Sequence, residues 1–250
     1  MAAAAPRIVA SIEARYSASR LPGKVLAEIG GRPALGHLVS RLRRVARLDA
    51  IVLATTTNPA DDALVDWAQS EGLAIHRGSE NDVLARVLDA QRSQDSDLVV
   101  EVCGDTPFLD PDVLAMAIDV WLANTCDMVS NTWNLSFPQG IDAQVFRTDD
   151  LADIAATIND AAVREHVSLY FYEHPERYRI YHLMAPPRWR WPEARLQLDY
   201  AEDLEMLRAV HAALAPAHGD SFGIEEIVAL LRDRPDIAAI NRDCVEKPAR

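Results

Sequence analysis

The chain has 250 residues, 49% of them apolar and 25% charged, with a formal net charge of −13. That length and apolar content suit one α/β domain, or one large domain with an appendage. The acidic balance excludes general nucleic-acid binding, which relies on basic surface to neutralise phosphates, and no run approaches the ~20 apolar residues of a membrane span.

The opening "MAAAAP" has neither the basic n-region nor the apolar h-region of a secretion signal. Cys103, Cys126 and Cys244 lie far apart without CxxC spacing, which predicts a reducing, cytoplasmic setting and neither a cysteine zinc site nor a disulfide frame.

In chain order, "RIVASIEA" (7–14), "DAIVLATTT" (49–57), "LAIHRG" (73–78), "DLVVEVCG" (97–104) and "DMVSNT" (127–132) predict strands. Helices are predicted between them. Residues 33–46 place Leu35, Leu38, Leu42 and Val45 on one stripe. Residues 59–72 open on Pro and acids and stop at Gly72. Residues 81–91 and 110–124 follow, each with an Asn or Asp available as cap. Strand–helix alternation with near-continuous apolar strands predicts a mostly parallel, Rossmann-like sheet covered on both faces. Ligands of such sheets sit at the carboxyl ends of the strands.

The second half is less regular. Residues 140–146, 178–185 and 195–199 read as strands, and 149–158, 162–174, 201–214 and 224–235 as helices. No internal repeat or low-complexity segment interrupts the chain, which reads as one domain over 1–250.

Charge is unevenly spread. The first fifty residues hold nine Lys or Arg against three acids, or +6, which leaves −19 for the rest. Lys24 and Lys247 are the only lysines. The loop after the first strand, "EARYSASRLPGK", carries Arg15, Arg20 and Lys24. It lacks the Walker A pattern, because Val25 stands where Ser or Thr is needed, and it lacks G-x-G-x-x-G. It can hold a triphosphate, with two guanidinium forks and one point charge, or be a solvated surface loop. Arg41, Arg43, Arg44 and Arg47 fall on the polar side of the first helix and read as solvated.

Two carboxylates follow later strands. Asp105, after "VVEVCG", is placed to enter a ligand crevice and suits Mg²⁺, which takes one or two carboxylates plus phosphate oxygens. Asp110, before Pro111, is the better helix cap. Asp199 reads either as an N-cap or as a second carboxylate for the same metal. Glu202 and Asp203 suit the dipole of the helix that follows and need no further role.

Together "ARYSASRLPGKVL", "ATTTN", "RGSENDVLAR", "GDTPFLDP", "VSNT", "FPQGIDAQVF", "REHV" and "RLQLDYAEDLE" resemble, in order and spacing, the SpsF-like cytidylyltransferases of spore-coat polysaccharide biosynthesis. That family is related to the synthetases that make CMP-Kdo and CMP-sialic acid. The likeness runs from residue 7 to about 214.

The resemblance implies the nucleotide-diphosphosugar-transferase type of fold and a homodimer. Residues 133–195 would carry a smaller protruding, dimerising and acceptor-side element. It implies CTP as substrate, Mg²⁺ as cofactor and a small-molecule acceptor, a sugar acid or a phosphate or phosphonate. By its motifs Ala14, Arg15, Ser19, Arg20 and Lys24 would hold the nucleotide, with Ser79 and Asp82 beside the nucleoside. Asp105 and Asp199 would carry the metal, and Arg15, Lys24 and the two acids would be catalytic. Asp142, Gln144, Arg164, Glu165 and His166 would face the acceptor.

Three departures concern the acceptor side: Glu13, Glu101 and Gln144 stand where the family commonly has Gln, Arg and Glu. A glycosyltransferase using a nucleotide sugar is a weaker reading, since D-x-D is replaced by Asp105-Thr106-Pro107. A non-catalytic nucleotide-binding subunit is opposed by intact Lys24, Asp105 and Asp199.

Overall fold

The computed structural model describes residues 5–17 and 20–246. Its centre is a seven-stranded sheet of order β5-β4-β1-β6-β8-β7-β9. The strands are β1 (Ile8–Glu13), β4 (Ala50–Thr56), β5 (Ala74–Gly78), β6 (Leu98–Cys103), β7 (Met128–Ser130), β8 (Gln144–Arg147) and β9 (Ile180–His182). β8 alone runs against its neighbours, pairing antiparallel with both β6 and β7, and every other pair is parallel. A two-stranded hairpin, β2 (Glu28–Ile29) and β3 (Arg32–Pro33), stands apart from it.

Burial on both sides of the sheet explains the apolar strands. Along β1, Ile8, Ala10 and Ile12 enter one core and Val9 the other, as the period of two requires. The first core is covered by α1 (Ala34–Leu42), α2 (Asp62–Ser70), α4 (Pro111–Ala123), α8 (Ala201–His218) and α9 (Ile224–Asp233). The second lies under α3 (Val83–Arg92), α5 (Thr148–Thr157), α6 (Ala161–Glu165) and α7 (Leu169–Glu173). A short α10 (Pro235–Ala238) follows α9. Among the described residues no helix is long and apolar enough to cross a membrane.

The structure corrects several expectations. The first helix ends at Leu42 rather than at residue 46. Arg41 on it is not solvated: it is buried, with its guanidinium 5.3 Å from the centre of the Phe108 ring and 4.6 Å from that of Phe222. The helix expected over 162–174 is two short helices, because His166 adopts an extended backbone between α6 and α7. The 195–199 segment joins no ladder. It bridges two loops instead, through Leu196 N–H to the Gln139 carbonyl at 2.8 Å and Leu198 N–H to the Asp105 carbonyl at 2.8 Å. That tie carries Asp199 to Asp105.

Candidate active site

A cleft of about 280 Å³ opens at the carboxyl ends of β1 and β6, lined among others by Ala14, Arg15, Arg20, Lys24, Asp105 and Asp199. Backbone geometry makes the junction. Gly104 N–H donates to the Glu13 carbonyl at 2.9 Å, and a Cβ at Gly104 would sit 2.8 Å from that of Ala14. Only glycine lets the two strand ends approach this closely. Lys24 begins a 3₁₀ turn (Lys24–Leu26) that brings its side chain back over the strand ends.

Lys24 Nζ lies 2.6 Å from Asp105 Oδ2 and 2.8 Å from Asp199 Oδ1. Arg20 reaches the same Asp199 oxygen at 2.6 Å and lies over the Tyr200 ring at 5.1 Å. The other oxygen of Asp199 accepts from Arg195 at 2.7 Å. Burial would raise the Asp199 pKa, but Lys24 and Arg20 outweigh it and hold the carboxyl at about 2. Burial would likewise lower Lys24, and the two carboxylates more than offset it, so its pKa is raised. Lys24 and Asp199 therefore face each other as ammonium and carboxylate. Asp105 Oδ1 is buried and, among the described residues, has no hydrogen-bond partner. An orphaned carboxylate oxygen beside a second carboxylate suits a hard divalent cation.

The remaining predicted residues divide. Arg15 is exposed at the cleft mouth, 3.7 Å from Glu80. Glu165 and His166 line the cleft. Ser79 accepts from the N–H groups of Asn81 and Asp82, and Asp82 caps α3 through Ala85 N–H. Asp82 also meets Arg164 at 3.3 Å, and Arg164 donates further to the Ile158 and Ala155 carbonyls. These three brace the loops flanking the cleft. Asp142 lines a neighbouring small cavity with Asn131, Gln139 and Glu246. Gln144 is buried opposite Glu101 in the β6–β8 ladder and donates to it at 3.3 Å, to Tyr172 at 3.2 Å, and to Ser168. Ser19 lies outside the described residues.

Several neighbours were not read from the sequence. Buried Arg195 clamps Asp199 and Asp203, and Asp203 also receives the N–H groups of Asp199 and Tyr200 and the amide of Asn241. Asp203 thus does more than face a helix dipole. The four-residue spacing of Arg195, Asp199 and Asp203 was the available signal. Glu13, Arg86 and Cys103 line the cleft as well. Burial, opposed by Arg86 and reinforced by Asp105, pushes Glu13 up to about 7. Burial also pushes Asp142 up to about 7 and Glu101 well above the usual carboxylate range.

Comparison with known proteins identifies the family. The chain is 34% identical to the spore coat polysaccharide biosynthesis protein SpsF of Bacillus subtilis, over 91% of this chain and 95% of that protein. It is 33% identical to a 3-deoxy-manno-octulosonate cytidylyltransferase of Trichlorobacter lovleyi, over 47% of this chain and 46% of the other. A cytidylyltransferase structure from Leptospira borgpetersenii superposes with a TM-score of 0.86 at 24% identity, over 97% of this chain and 98% of that one, and shares its fold. The family model described as cytidylyltransferase matches residues 9–227, and the chain belongs to that family.

Proposed function

We propose that the protein transfers CMP from CTP to a sugar acid or a phosphate or phosphonate monoester, with release of pyrophosphate. The name of the Bacillus subtilis relative points to polysaccharide synthesis, and that of the Trichlorobacter lovleyi relative to cytidylyl transfer with a sugar acid, which supports a place in surface polysaccharide or glycoconjugate synthesis. The observation that carries the reading is the Lys24 junction. One ammonium joins carboxylates from two distant segments at the mouth of the strand ends, where nucleotide phosphates are held in such folds.

The acceptor oxygen attacks the α-phosphorus, the bond from that phosphorus to the bridging oxygen breaks, and pyrophosphate departs. Arg15, Arg20 and Lys24 provide three cations for the triphosphate and for the leaving group. Lys24 and Arg20 release the carboxylates as they meet phosphate, which frees Asp105 and Asp199. A Mg²⁺ held by those two acids would neutralise charge on the phosphate oxygens. Ala14 and the loops braced by Ser79 and Asp82 form the nucleoside side. Glu165 and His166, with Asp142 and Gln144 behind them, form the acceptor side, and Arg164 fixes its loop. We assign residues 133–195 a second role, as the surface through which two copies pair.

The test is thermal shift with each of CTP, ATP, GTP and UTP in Mg²⁺, followed by pyrophosphate release from a panel of sugar acids, sugar phosphates and phosphonates. CTP should stabilise most, and Asp105→Asn should abolish release. Equal stabilisation by all four nucleotides would count against cytidylyl transfer.

A further inference from the structure

On the face of the molecule formed by α1 and α8, three potential metal ligands converge that the catalytic reading does not use. They are His37 on α1, His211 on α8 and Asp220 just beyond the end of α8, and their ligand atoms all lie within 4.8 Å of one another. We propose that His37, His211 and Asp220 form a structural Zn²⁺ site, separate from the Asp105–Asp199 pair.

The hydrogen bonds fix which atoms are available. His37 Nε2 lies 2.8 Å from the Ile29 carbonyl and must donate to it, so Nδ1 carries the lone pair when the ring is neutral. That lone pair faces Asp220 Oδ1 at 3.8 Å, too far for a hydrogen bond, and His211 Nε2 faces the same oxygen at 3.5 Å. Two nitrogens and one carboxylate oxygen thus surround a point without joining one another. Tetrahedral zinc, with ligands ~2.0–2.1 Å away, needs ligand-to-ligand separations of about 3.3 Å. Small side-chain adjustments meet that demand, and water can take the fourth position.

The surroundings are arranged as in metal sites. A histidine ligand usually donates its other N–H to a carbonyl or carboxylate, as His37 does. Asp220 Oδ2 accepts from the Arg32 guanidinium at 2.9 Å, which leaves Oδ1 for the two imidazoles. Access for His211 depends on Gly30, whose φ is +58° and where a Cβ would sit 2.1 Å from the His211 ring. Ring edges of Phe108 and Phe222 pack around the imidazoles at centroid distances of 6.0 and 6.1 Å. A set of two imidazoles and one carboxylate selects Zn²⁺ and its close analogues over Mg²⁺, which prefers oxygen. The ion would lock the β2–β3 hairpin, α1 and α8 behind the turn that carries Lys24.

The full chain, freed of metal by chelation and dialysis, is titrated with ZnCl₂ by calorimetry and with CoCl₂ by visible absorption. Wild type should take up one equivalent of Zn²⁺, give Co²⁺ bands of tetrahedral or five-coordinate type, and gain about 5–10 °C in Tm at Zn²⁺ ~100-fold above Kd. His211→Ala and Asp220→Asn should each weaken binding at least ~10-fold. Both should leave the Mg²⁺-supported rate of pyrophosphate release unchanged, and circular dichroism establishes that they fold. Asp105→Asn should leave the zinc equivalent in place. Failure to bind an equivalent, or equal affinity in Asp220→Asn and wild type, would overturn the site.

Discussion

Lys24 is half of the lysine content of the chain and the only one within the described residues, and its environment gives the reason. An ammonium is a compact charge that can sit between two carboxylates and then move to a phosphate, where a planar guanidinium would be harder to redirect. Lys24→Met should therefore cut pyrophosphate release by about 10²–10³-fold, the usual loss for one strong transition-state contact, as measured at saturating CTP. The neighbouring carboxyls titrate with opposite signs. Folding lowers Asp199 from 3.8 to about 2, so its contribution to stability is complete above about pH 4 and is lost as the pH falls through 2. Asp199→Asn should flatten the acid limb of Tm against pH across that window. Folding raises Glu13 from 4.5 to about 7, so the native state holds more protons, and stability falls as the pH climbs from about 4.5 to 7. Glu13→Gln keeps the shape without the charge, so its Tm advantage over wild type should be larger at pH 8 than at pH 5. An equal difference at both pH values would mean that Glu13 ionises normally.

At the scale of elements, Asp110 joins two helices. Its Oδ1 caps α4 through the Asp112 and Val113 N–H groups, while Oδ2 accepts from Ile224 N–H at 2.7 Å at the start of α9. Asp110→Ala removes a cap worth ~1 kcal/mol and leaves a buried N–H unpaired at ~1–3 kcal/mol, so a loss of roughly 2–4 kcal/mol is expected. Urea unfolding should show a lower midpoint with an unchanged slope. The cap itself was legible, since Asp before Pro at a helix start has one dominant meaning. So were β1, β4, β6 and the helices between them, because these strands lie inside a sheet covered on both faces and their apolar runs record that burial. β5, a half-buried edge strand, was legible as a short run closed by Gly78. The Ile224 contact was not, since 114 residues separate the partners. Nor was the break at His166: Val163 and Val167 keep a helical interval across it, so periodicity passes through a kink made by backbone geometry. Arg41 looked solvated because its neighbours Arg43 and Arg44 are exposed, and nothing local announces the Phe108 and Phe222 rings that cover it. In the candidate site, Lys24, Asp105 and Asp199 were singled out by position and motif and the structure brings them together, whereas Arg195 and Asn241 act through Asp199 and Asp203, with the spacing of Arg195 to the two acids as the one local signal.

On the whole molecule, the sheet ends on one side at β9, an edge strand with no further partner among the described residues. Around that edge Trp133, Leu135, Tyr181 and Met184 are about half exposed, at 53%, 52%, 47% and 47%. β9 pairs with β7, and the 133–135 segment follows β7 directly, so these side chains belong to one end of the fold. Large apolar groups gathered at an open edge are a liability for a monomer and a common feature of an interface. The same end lies within residues 133–195, to which the dimer was assigned. Trp133 is already ordered by stacking on Tyr172 at 4.7 Å, and Tyr172 bonds Ser130 at the end of β7, so an exposed ring is held in place. Ordering a side chain before contact lowers the entropy cost of association. Sedimentation velocity on wild type should give a dimer at micromolar concentration. Leu135→Glu with Met184→Glu should give a folded monomer, because two charges would be buried unpaired in the interface. A dimer that survives both substitutions would place the interface elsewhere, and a wild-type monomer would remove residues 133–195 from that role.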